Sequence, residues 1–591
     1  MAKEQTSPIF PNIQESNQSQ LQFTVSILDL EKHYYSVELF IQSNKPDITL
    51  VLPNWTPGSY MIRDYSTHLH KLTAKNSITD EPLKIDEQDL NTWNIPNPSG
   101  SILVHYIIYA FEDYTVRTNY LNDEFGFISP PALFLFPKGE LNCPVSVKFE
   151  TSEIFPNVYS SLKRFNQSNS FYANDFDELY DSPFHLSKMN SVFFEVGQTL
   201  HELVVEGDVT FEFKQKLADD LKKITAVQME WMNDSPNLYY LFVLNLSLPA
   251  YGGLEHRASS INFFNPELIS DEKEYTKLLE LLSHEYFHLW NVKRIRPIQL
   301  GPFDYERPNL TKELWIAEGV TSFYDNYFLL SSGFLSPDEY LKRLESDIFS
   351  LEESTGEDWM SLEESSLTAW TKYYKRNANS QNVTVSYYTK GAILSLCINL
   401  FLLKESPTKK TLRHVFQKLN SVFVYEKKRG YTKQEFFDTV QSVTGINIYT
   451  EFSSYIEKPE RIPVENYLGN IGLKIVKSDP IGELGFRTKE KGGNLFVQRL
   501  IHSRSGANVT LHLEDEIIAI NGKRVNQNFM NKFEKQILPK ESYHLTIARN
   551  GKIKEYMMKA EENFQIKKLA FLESKSEETK ENRDRFFSGL I

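Results

Sequence analysis

The chain has 591 residues, more than one hydrophobic core usually supports, so roughly three or four domains are expected. Its apolar fraction of 41% and charged fraction of 24% are typical of a soluble globular protein. The formal net charge of −14 argues against a nucleic-acid partner. The two cysteines, Cys143 and Cys397, lie far apart in sequence, so a disulfide framework is not expected.

The N-terminus shows no basic segment followed by an apolar run, which is the pattern of a signal peptide. No apolar stretch approaches the length that a membrane span needs. These two observations predict a cytoplasmic protein without membrane spans.

The first part of the chain has the pattern of a β domain. Residues 1–20 are polar and are expected to be disordered. Residues 21–198 contain short apolar runs rich in β-branched and aromatic residues, separated by Pro, Gly, Asn and Asp, which predicts an all-β domain. The clearest runs are Val37–Ile41, Ile48–Leu52, Ile102–Tyr109 and Val145–Phe149. Within this region, Leu52–Tyr65 predicts a shaped loop packed by Trp55 and Tyr60.

The middle of the chain, residues 199–460, changes from strand to helix patterns. A helix over Leu221–Met232 and strands over Tyr239–Leu246 and Ser260–Phe264 come first. A helix then begins at Ser270 or Asp271 and is expected to end at Pro297. Further helices, including Leu314–Leu330, follow, and this order predicts an α+β domain.

Strand patterns return over residues 461–563. Asn550-Gly551 predicts a hairpin turn, and Phe529–Ile537 predicts a helix. Residues 564–591 form a charged C-terminal tail, which is expected to be solvated after about Glu573.

One short motif in the middle region carries chemistry. His284-Glu-Tyr-Phe-His288 places two histidines one helical turn apart, so both can reach one ion. Zinc accepts imidazole nitrogen and keeps an open position for water when it is catalytic. Glu285 can then act as general base on that water. The alternative is an amphipathic core helix with two incidental histidines.

A catalytic zinc needs a third protein ligand. Glu306 precedes Arg307-Pro308, which favours extended backbone, so its carboxylate would be held less rigidly than one on a helix. Glu318 lies inside the next helix pattern, and Gly319 lets another backbone approach it closely. Glu318 is therefore preferred and Glu306 is the alternative. Asp325, two turns beyond Glu318, is either a hydrogen-bond partner of the zinc-binding histidines or an exposed acid.

Several motifs together resemble a known family. His284–His288 with Trp315–Gly319 resembles the gluzincin metallopeptidases, which include thermolysin and the large zinc aminopeptidases. Gly252–His256, interpreted as a loop, is similar to the Gly-x-Met-Glu-Asn motif of those aminopeptidases, and Tyr387–Gly391 resembles their Tyr-Glu-Lys-Gly segment. With the Trp-x-Pro-Gly-Ser-Tyr loop, Trp55–Tyr60, the chain most resembles the glycyl aminopeptidase family. That resemblance implies a multidomain α+β protein with an all-β N-terminal domain, a thermolysin-like, mostly helical catalytic domain and a C-terminal PDZ domain.

The resemblance also implies roles for single residues. The zinc ligands would be His284, His288 and Glu318, holding one ion per chain. Glu285 would move the proton of the attacking water, and Tyr388, or alternatively Tyr387, would stabilise the oxyanion. Glu255 would bind the substrate's α-ammonium group, with Gly252 and Gly253 beside the peptide. The chain departs from the large aminopeptidases in carrying His256 where they have Asn.

Val464–Lys559 resembles a PDZ domain, and Glu483–Phe486 resembles its carboxylate-binding loop. The amides of Leu484, Gly485 and Phe486 would then hold the C-terminus of a peptide ligand. The alternative is a PDZ fold used only for packing.

Taken together, the resemblance implies a zinc aminopeptidase that acts on peptides with a free N-terminus and prefers small first residues such as Gly or Ala. Two alternatives remain. One is a zinc endopeptidase that holds its substrate with the PDZ domain. The other is a PDZ binding scaffold with an inactive metal site.

Overall fold

The computed structural model describes residues 20–112, 115–151, 153–165, 169–477, 479–501, 511–564, 567–572, 576–589 and 591. The segment 1–20, predicted to be disordered, lies outside the described residues except for Gln20. The fold divides into two compact units, Met1–Asn309 with Phe423–Gly430, and Leu310–Val422 with Tyr431–Ile591. The domain boundaries drawn from the sequence remain predictions.

The first unit is built mainly from β-strands. Its strands up to residue 137 are β1 (Leu21–Asp29), β2 (Tyr34–Gln42), β3 (Asp47–Val51), β4 (Leu69–Asn76), β5 (Pro82–Leu83), β6 (Asp86–Asp89), β7 (Thr92–Pro96), β8 (Ser101–Tyr109), β9 (Tyr120–Leu121), β10 (Phe125–Ile128) and β11 (Phe136–Pro137). The next are β12 (Val145–Glu150), β13 (Asn157–Tyr159), β14 (Lys163–Arg164), β15 (Ser170–Ala173), β16 (Phe184–Ser187), β17 (Val192–Val196), β18 (Thr199–Glu206), β19 (Tyr239–Asn245), β20 (Gly252–Glu255) and β21 (Ser259–Phe263). Its helices are α1 (Phe176–Tyr180), α2 (Phe211–Met232) and α3 (Glu272–Phe287).

The N-terminal part of this unit confirms the predicted all-β domain. Its largest sheet has the strand order β14-β15-β12-β1-β2-β8-β4-β5, and two smaller sheets, β13-β16-β10-β9 and β11-β3-β7-β6, accompany it. Alternate residues of β1, such as Phe23 and Val25, are buried while their neighbours are not. This period of two is the pattern from which the strands were predicted.

A mixed sheet with the order β17-β18-β19-β21-β20 carries α2 and α3 and positions the site. The segment Gly252–Glu255, interpreted from the sequence as a loop, is the edge strand β20 and pairs antiparallel with β21. Asp271 caps α3 as predicted, its side chain accepting from the amides of Lys273 and Glu274. The prediction that α3 ends at Pro297 is wrong: it ends at Phe287, and turns follow.

The second unit begins with helices. These are α4 (Val320–Ser331), α5 (Pro337–Glu352), α6 (Leu362–Leu367), α7 (Ser380–Val383), α8 (Tyr387–Glu405), α9 (Leu412–Leu419), α10 (Lys433–Thr444), α11 (Ile448–Glu457) and α12 (Val464–Leu468). The stretch Ser380–Glu405 is long and apolar enough to cross a membrane by length and composition, which the sequence analysis did not predict. Its most apolar window is 78% buried inside the protein, as in the core helix of a soluble domain.

Strands then return, as predicted. They are β22 (Leu473–Lys477), β23 (Pro480–Glu483), β24 (Phe486–Lys491), β25 (Asn494–Leu500), β26 (Glu516–Ile520), β27 (Lys523–Arg524), β28 (Ser542–Arg549), β29 (Lys552–Lys559), β30 (Glu561–Phe564) and β31 (Lys567–Phe571), with helices α13 (Gln527–Phe533) and α14 (Glu577–Phe587). Asn550 and Gly551, both with positive φ, form the predicted two-residue hairpin turn between β28 and β29. The identity of this sheet as a PDZ domain remains a prediction.

The C-terminal tail is not solvated as its charge suggested. Its strand β31 pairs with β22, and α14 packs into the second unit with Phe586 fully buried. The Phe586 ring lies against Tyr327 and Tyr340, and the Tyr327 hydroxyl donates to the Phe586 carbonyl at 2.8 Å. The prediction from charge was wrong because a helix needs only one buried face to pack against its unit, while its other faces stay charged.

Truncating Phe586 to Ala should therefore destabilise the second unit by about 3–5 kcal/mol, the usual cost of removing a buried aromatic ring. Urea unfolding measures this loss as a lower midpoint. Phe587→Ala is the matched control, because that neighbouring ring is only partly buried and should cost less. Equal, small effects of both substitutions would mean that the tail is solvated after all.

Candidate active site

Helix α3 brings His284 and His288 together on one face. Their Nε2 atoms are 3.0 Å apart. The His288 Nδ1 atom lies 2.6 Å from the carbonyl oxygen of Asn291, and since a carbonyl can only accept, Nδ1 carries the proton. The lone pair of His288 Nε2 therefore faces the second imidazole. This arrangement fits a metal ion held by two histidines, one of them oriented by a main-chain carbonyl.

Glu285 lies on the same helix and is buried. Strand β20 passes directly beneath it: a Cβ added to Gly253 would lie 2.1 Å from Glu285 Oε1 and 2.5 Å from its Cγ. Only glycine fits at this crossing, because any side chain would displace the Glu285 carboxylate. Gly253 thus belongs to the site through its lack of a side chain.

Glu255, at the end of β20, completes this side of the site. One carboxylate oxygen of Glu255, one of Glu285 and one ring nitrogen of His288 all lie within 4.8 Å of one another. Glu255 is 4% exposed, and its Oε1 has no hydrogen-bond partner in the described part of the chain. A buried carboxylate oxygen without a partner is costly, so the site fits a cationic ligand at Glu255.

The loop Leu52–Tyr65 packs around Trp55 and Tyr60 as predicted, and both are buried. It also closes on Glu255: Gly58 has φ +82°, and a Cβ there would lie 2.7 Å from Glu255 Oε1. Trp55 Nε1 donates to the Asp304 carbonyl at 2.9 Å. The proline-containing insert after α3 is therefore anchored on the N-terminal β domain.

The outer edge of β20 is suited to an extended peptide. His256 N–H donates to the Ser259 carbonyl, so alternation along the antiparallel pair turns the main-chain groups of Gly253 and Glu255 outward. Arg117 Nη2 donates to the Gly253 carbonyl at 3.2 Å. Arg117 was missed by the sequence analysis, because no motif surrounds it and the contact joins distant segments.

In the second unit, Glu318 lies on a π-helical turn, Trp315–Gly319, and is 2% exposed. Such turns are frequent at functional sites. A Cβ on Gly319 would lie 2.5 Å from the Gly391 Cα, so two glycines allow this turn to touch α8. The glycine predicted to allow close approach does so.

The same glycine crossing places the tyrosine pair. Tyr387 is fully buried, whereas Tyr388 is half-buried. Burial raises the pKa of Tyr388 well above its ordinary value, and the Glu318 carboxylate raises it further. The Tyr388 hydroxyl therefore keeps its proton and is a hydrogen-bond donor near Glu318.

Two other predicted carboxylates have different surroundings. Glu306, the alternative third ligand, pairs with Lys138 at 2.9 Å and is half-exposed. Among the described residues it joins no group of metal-binding side chains. Asp325 is buried and accepts from the side-chain amide of Asn326 at 3.0 Å. The alternative that Asp325 is an exposed acid is therefore wrong. Its role as a hydrogen-bond partner of the zinc-binding histidines remains a prediction.

The predicted carboxylate loop of the C-terminal sheet has Gly485 at φ +74°, between buried Leu484 and Phe486. A cavity of about 190 Å³ lies between this loop, β24 and α13. The Glu483 carboxylate lines it and pairs with Arg487 at 2.7 Å.

Comparison with known proteins places these features in a family. The model of the M61 glycyl aminopeptidase matches residues 277–394, and that of the peptidase M61 N-terminal domain matches residues 22–188. No curated protein matches the chain by sequence.

Among solved structures, the chain is similar to an aminopeptidase N family protein from Idiomarina loihiensis, at 27% identity and a TM-score of 0.88, covering 96% of this chain and 100% of that one. It is more distantly similar to an M1 zinc metallopeptidase from Deinococcus radiodurans, at 10% identity and a TM-score of 0.47, covering 76% and 95%. Aminopeptidase A of Legionella pneumophila gives 14% identity and a TM-score of 0.47, covering 94% and 57%. On the two family matches and the likeness that spans the chain, this protein belongs to the M61 glycyl aminopeptidase family.

Proposed function

We propose that this protein is a zinc aminopeptidase that removes the first residue of peptides, with a preference for Gly and Ala. The observation that carries the proposal is the buried Glu255 carboxylate. Its Oε1 has no hydrogen-bond partner in the described structure, and one of its oxygens lies within 4.8 Å of a Glu285 carboxylate oxygen and a His288 ring nitrogen. A group of this kind is suited to an ammonium ion beside the reacting bond.

His284, His288 and Glu318 would hold one zinc ion. Their chemistry supports this set: two imidazoles and one carboxylate are a common catalytic zinc shell. Asn291 supports it as well, because its carbonyl fixes His288 with the Nε2 lone pair available. Bound zinc would supply Lewis-acid activation of water and of the scissile carbonyl.

The chain's own residues would move the protons. Glu285 would accept a proton from the attacking water and deliver it to the leaving amine nitrogen. Tyr388 would donate its hydroxyl proton in a hydrogen bond to the developing oxyanion. Tyr388 is preferred over Tyr387 as the oxyanion donor for three reasons. Tyr388 is half-buried whereas Tyr387 is fully buried, it keeps its proton, and it lies near Glu318.

Glu255 would bind the α-ammonium group of the substrate, while the outer edge of β20 aligns the peptide. An internal peptide bond brings no charge to compensate this buried carboxylate, so the site favours cleavage at the N-terminus. The preference for a small first residue is taken from the likeness to the glycyl aminopeptidase family.

Blocking the substrate amine is expected to slow turnover strongly. Glycine p-nitroanilide should be hydrolysed. Its N-acetyl derivative should react slower by a factor of about 10² or more, because the buried Glu255 charge is left unpaired. Release of p-nitroaniline measures both rates. Chelation with 1,10-phenanthroline should stop the reaction, and added Zn²⁺ should restore it. Equal rates would indicate an endopeptidase, and a zinc-loaded protein that cleaves no peptide would indicate a scaffold.

We also propose that the C-terminal sheet is a PDZ domain that takes a peptide C-terminus. The cavity between β24 and α13 and the positive φ of Gly485 support this proposal. Binding of a C-terminal hexapeptide library, compared with the same peptides amidated, tests it. Equal binding of both forms would contradict recognition of a carboxylate.

A further inference from the structure

Asp181, at the end of α1 in the N-terminal β domain, connects three separate segments. Its Oδ1 accepts from Lys293 Nζ at 2.8 Å and from His256 Nδ1 at 3.1 Å, and its Oδ2 accepts from the Arg257 amide at 2.9 Å. His256 directly follows Glu255, and Lys293 lies in the turns that follow α3. The Asp181 carboxylate therefore binds both the residues that follow Glu255 and the turns that follow α3.

Lys293 is buried and remains an ammonium ion. Burial alone would lower its pKa, but the Asp181 and Glu255 carboxylates raise it above the ordinary value. Burial would likewise raise the pKa of Asp181, yet Lys293 and His256 hold it well below its usual range. Lys293 is thus attracted by two carboxylates, and in the structure it is bound to Asp181.

This choice of partner has a chemical consequence. The Lys293 ammonium is the same kind of group as the amine of a peptide substrate. Lys293 and Glu255 line one cavity of about 410 Å³, which leaves room for the lysine side chain to move. If Lys293 were paired with Glu255, it would compete with the substrate from within the protein.

We propose that Asp181 is a positioning residue that withholds Lys293 from Glu255, so that the Glu255 carboxylate remains available to the substrate amine. This inference rests on the proposed aminopeptidase function, in which Glu255 binds that amine. It also gives a role to His256. With its Nδ1–H donating to Asp181, His256 orients the carboxylate that holds Lys293.

The test compares Asp181→Asn, Lys293→Met and the double variant, using KM and kcat for glycine p-nitroanilide. Asp181→Asn should raise KM about tenfold or more with little change in kcat, the size expected for losing one charge-assisted hydrogen bond to the amine. Adding Lys293→Met should return KM to within about threefold of the wild-type value, since the internal competitor is gone. A double variant as impaired as Asp181→Asn would overturn the proposal and assign Asp181 a purely structural role.

If Asp181→Asn does not fold, the KM of Lys293→Met alone still tests the proposal. Removing a positive charge beside Glu255 should leave KM unchanged or lower it, and a rise of about tenfold would overturn the proposal. Asp220→Asn is the matched control, because Asp220 is also a mostly buried aspartate that binds a lysine, Lys216, at 3.0 Å. Its KM should equal that of the wild type. Wild-type turnover of the free-amine substrate but not the acetylated one would uphold the aminopeptidase function even if Asp181→Asn left KM unchanged.

Discussion

Replacing Glu285 with Gln should lower kcat for glycine p-nitroanilide by about 10³-fold or more, while the bound zinc is retained. Glutamine has the same shape but cannot accept the proton of the attacking water. On the side of β20 no base can take its place, because the Glu285 side chain lies directly on Gly253, which has no side chain. Steady-state kinetics give kcat, and atomic absorption gives the zinc content of the same sample.

Glu274→Gln is the matched control for this substitution. Glu274 lies on the same helix, α3, and forms a surface ion pair with Lys277 at 2.6 Å. Surface pairs of this kind contribute about 0–1 kcal/mol, so kcat should not change. A Glu285→Gln protein that keeps more than about a tenth of the wild-type kcat would show that another group is the base.

The local parts of this site follow from the sequence because they depend on spacing along one helix. Two histidines four residues apart share a face of α3, and Asp271 caps that helix through its side chain. The alternating strands of the N-terminal domain follow equally from their period of two. The helical context of Glu318 predicts it as the third ligand in preference to Glu306, and this choice stays a prediction; the structure shows Glu306 in an ion pair with Lys138.

The remaining parts depend on the chain's path in space. The carbonyl of Asn291 orients His288, but a main-chain oxygen carries no signature in the sequence. Gly58 and Arg117 reach β20 from the N-terminal domain, and Asp181, at the end of α1, accepts from His256 and Arg257 just beyond that strand. These contacts join segments far apart in sequence, which local propensity does not encode. The interpretation of Gly252–Glu255 as a loop failed for the same reason, because glycines here serve close packing at a sheet edge.

Gly253→Ala should lower kcat by about 10²-fold, although it adds a single methyl group. The new Cβ would lie 2.1 Å from Oε1, 2.4 Å from Cδ and 2.5 Å from Cγ of Glu285, so the whole carboxylate must move. Strand β20 cannot easily yield, because it is paired with β21 along its length. Misplacing a catalytic base by about 1 Å costs a rate factor of this order. Zinc content and thermal unfolding should stay close to wild type.

A double-mutant cycle separates this steric effect from general damage. In a Glu285→Asp background the carboxylate is one methylene shorter, so Gly253→Ala should cost less than about tenfold there. Gly469→Ala is the matched control for adding a methyl group, because a Cβ at Gly469 meets nothing within 4 Å. If Gly253→Ala kept the wild-type kcat, Glu285 would have to act from a position other than the one it occupies above β20. An equal loss in both backgrounds would instead place the effect of Gly253 on the peptide-binding edge of the strand.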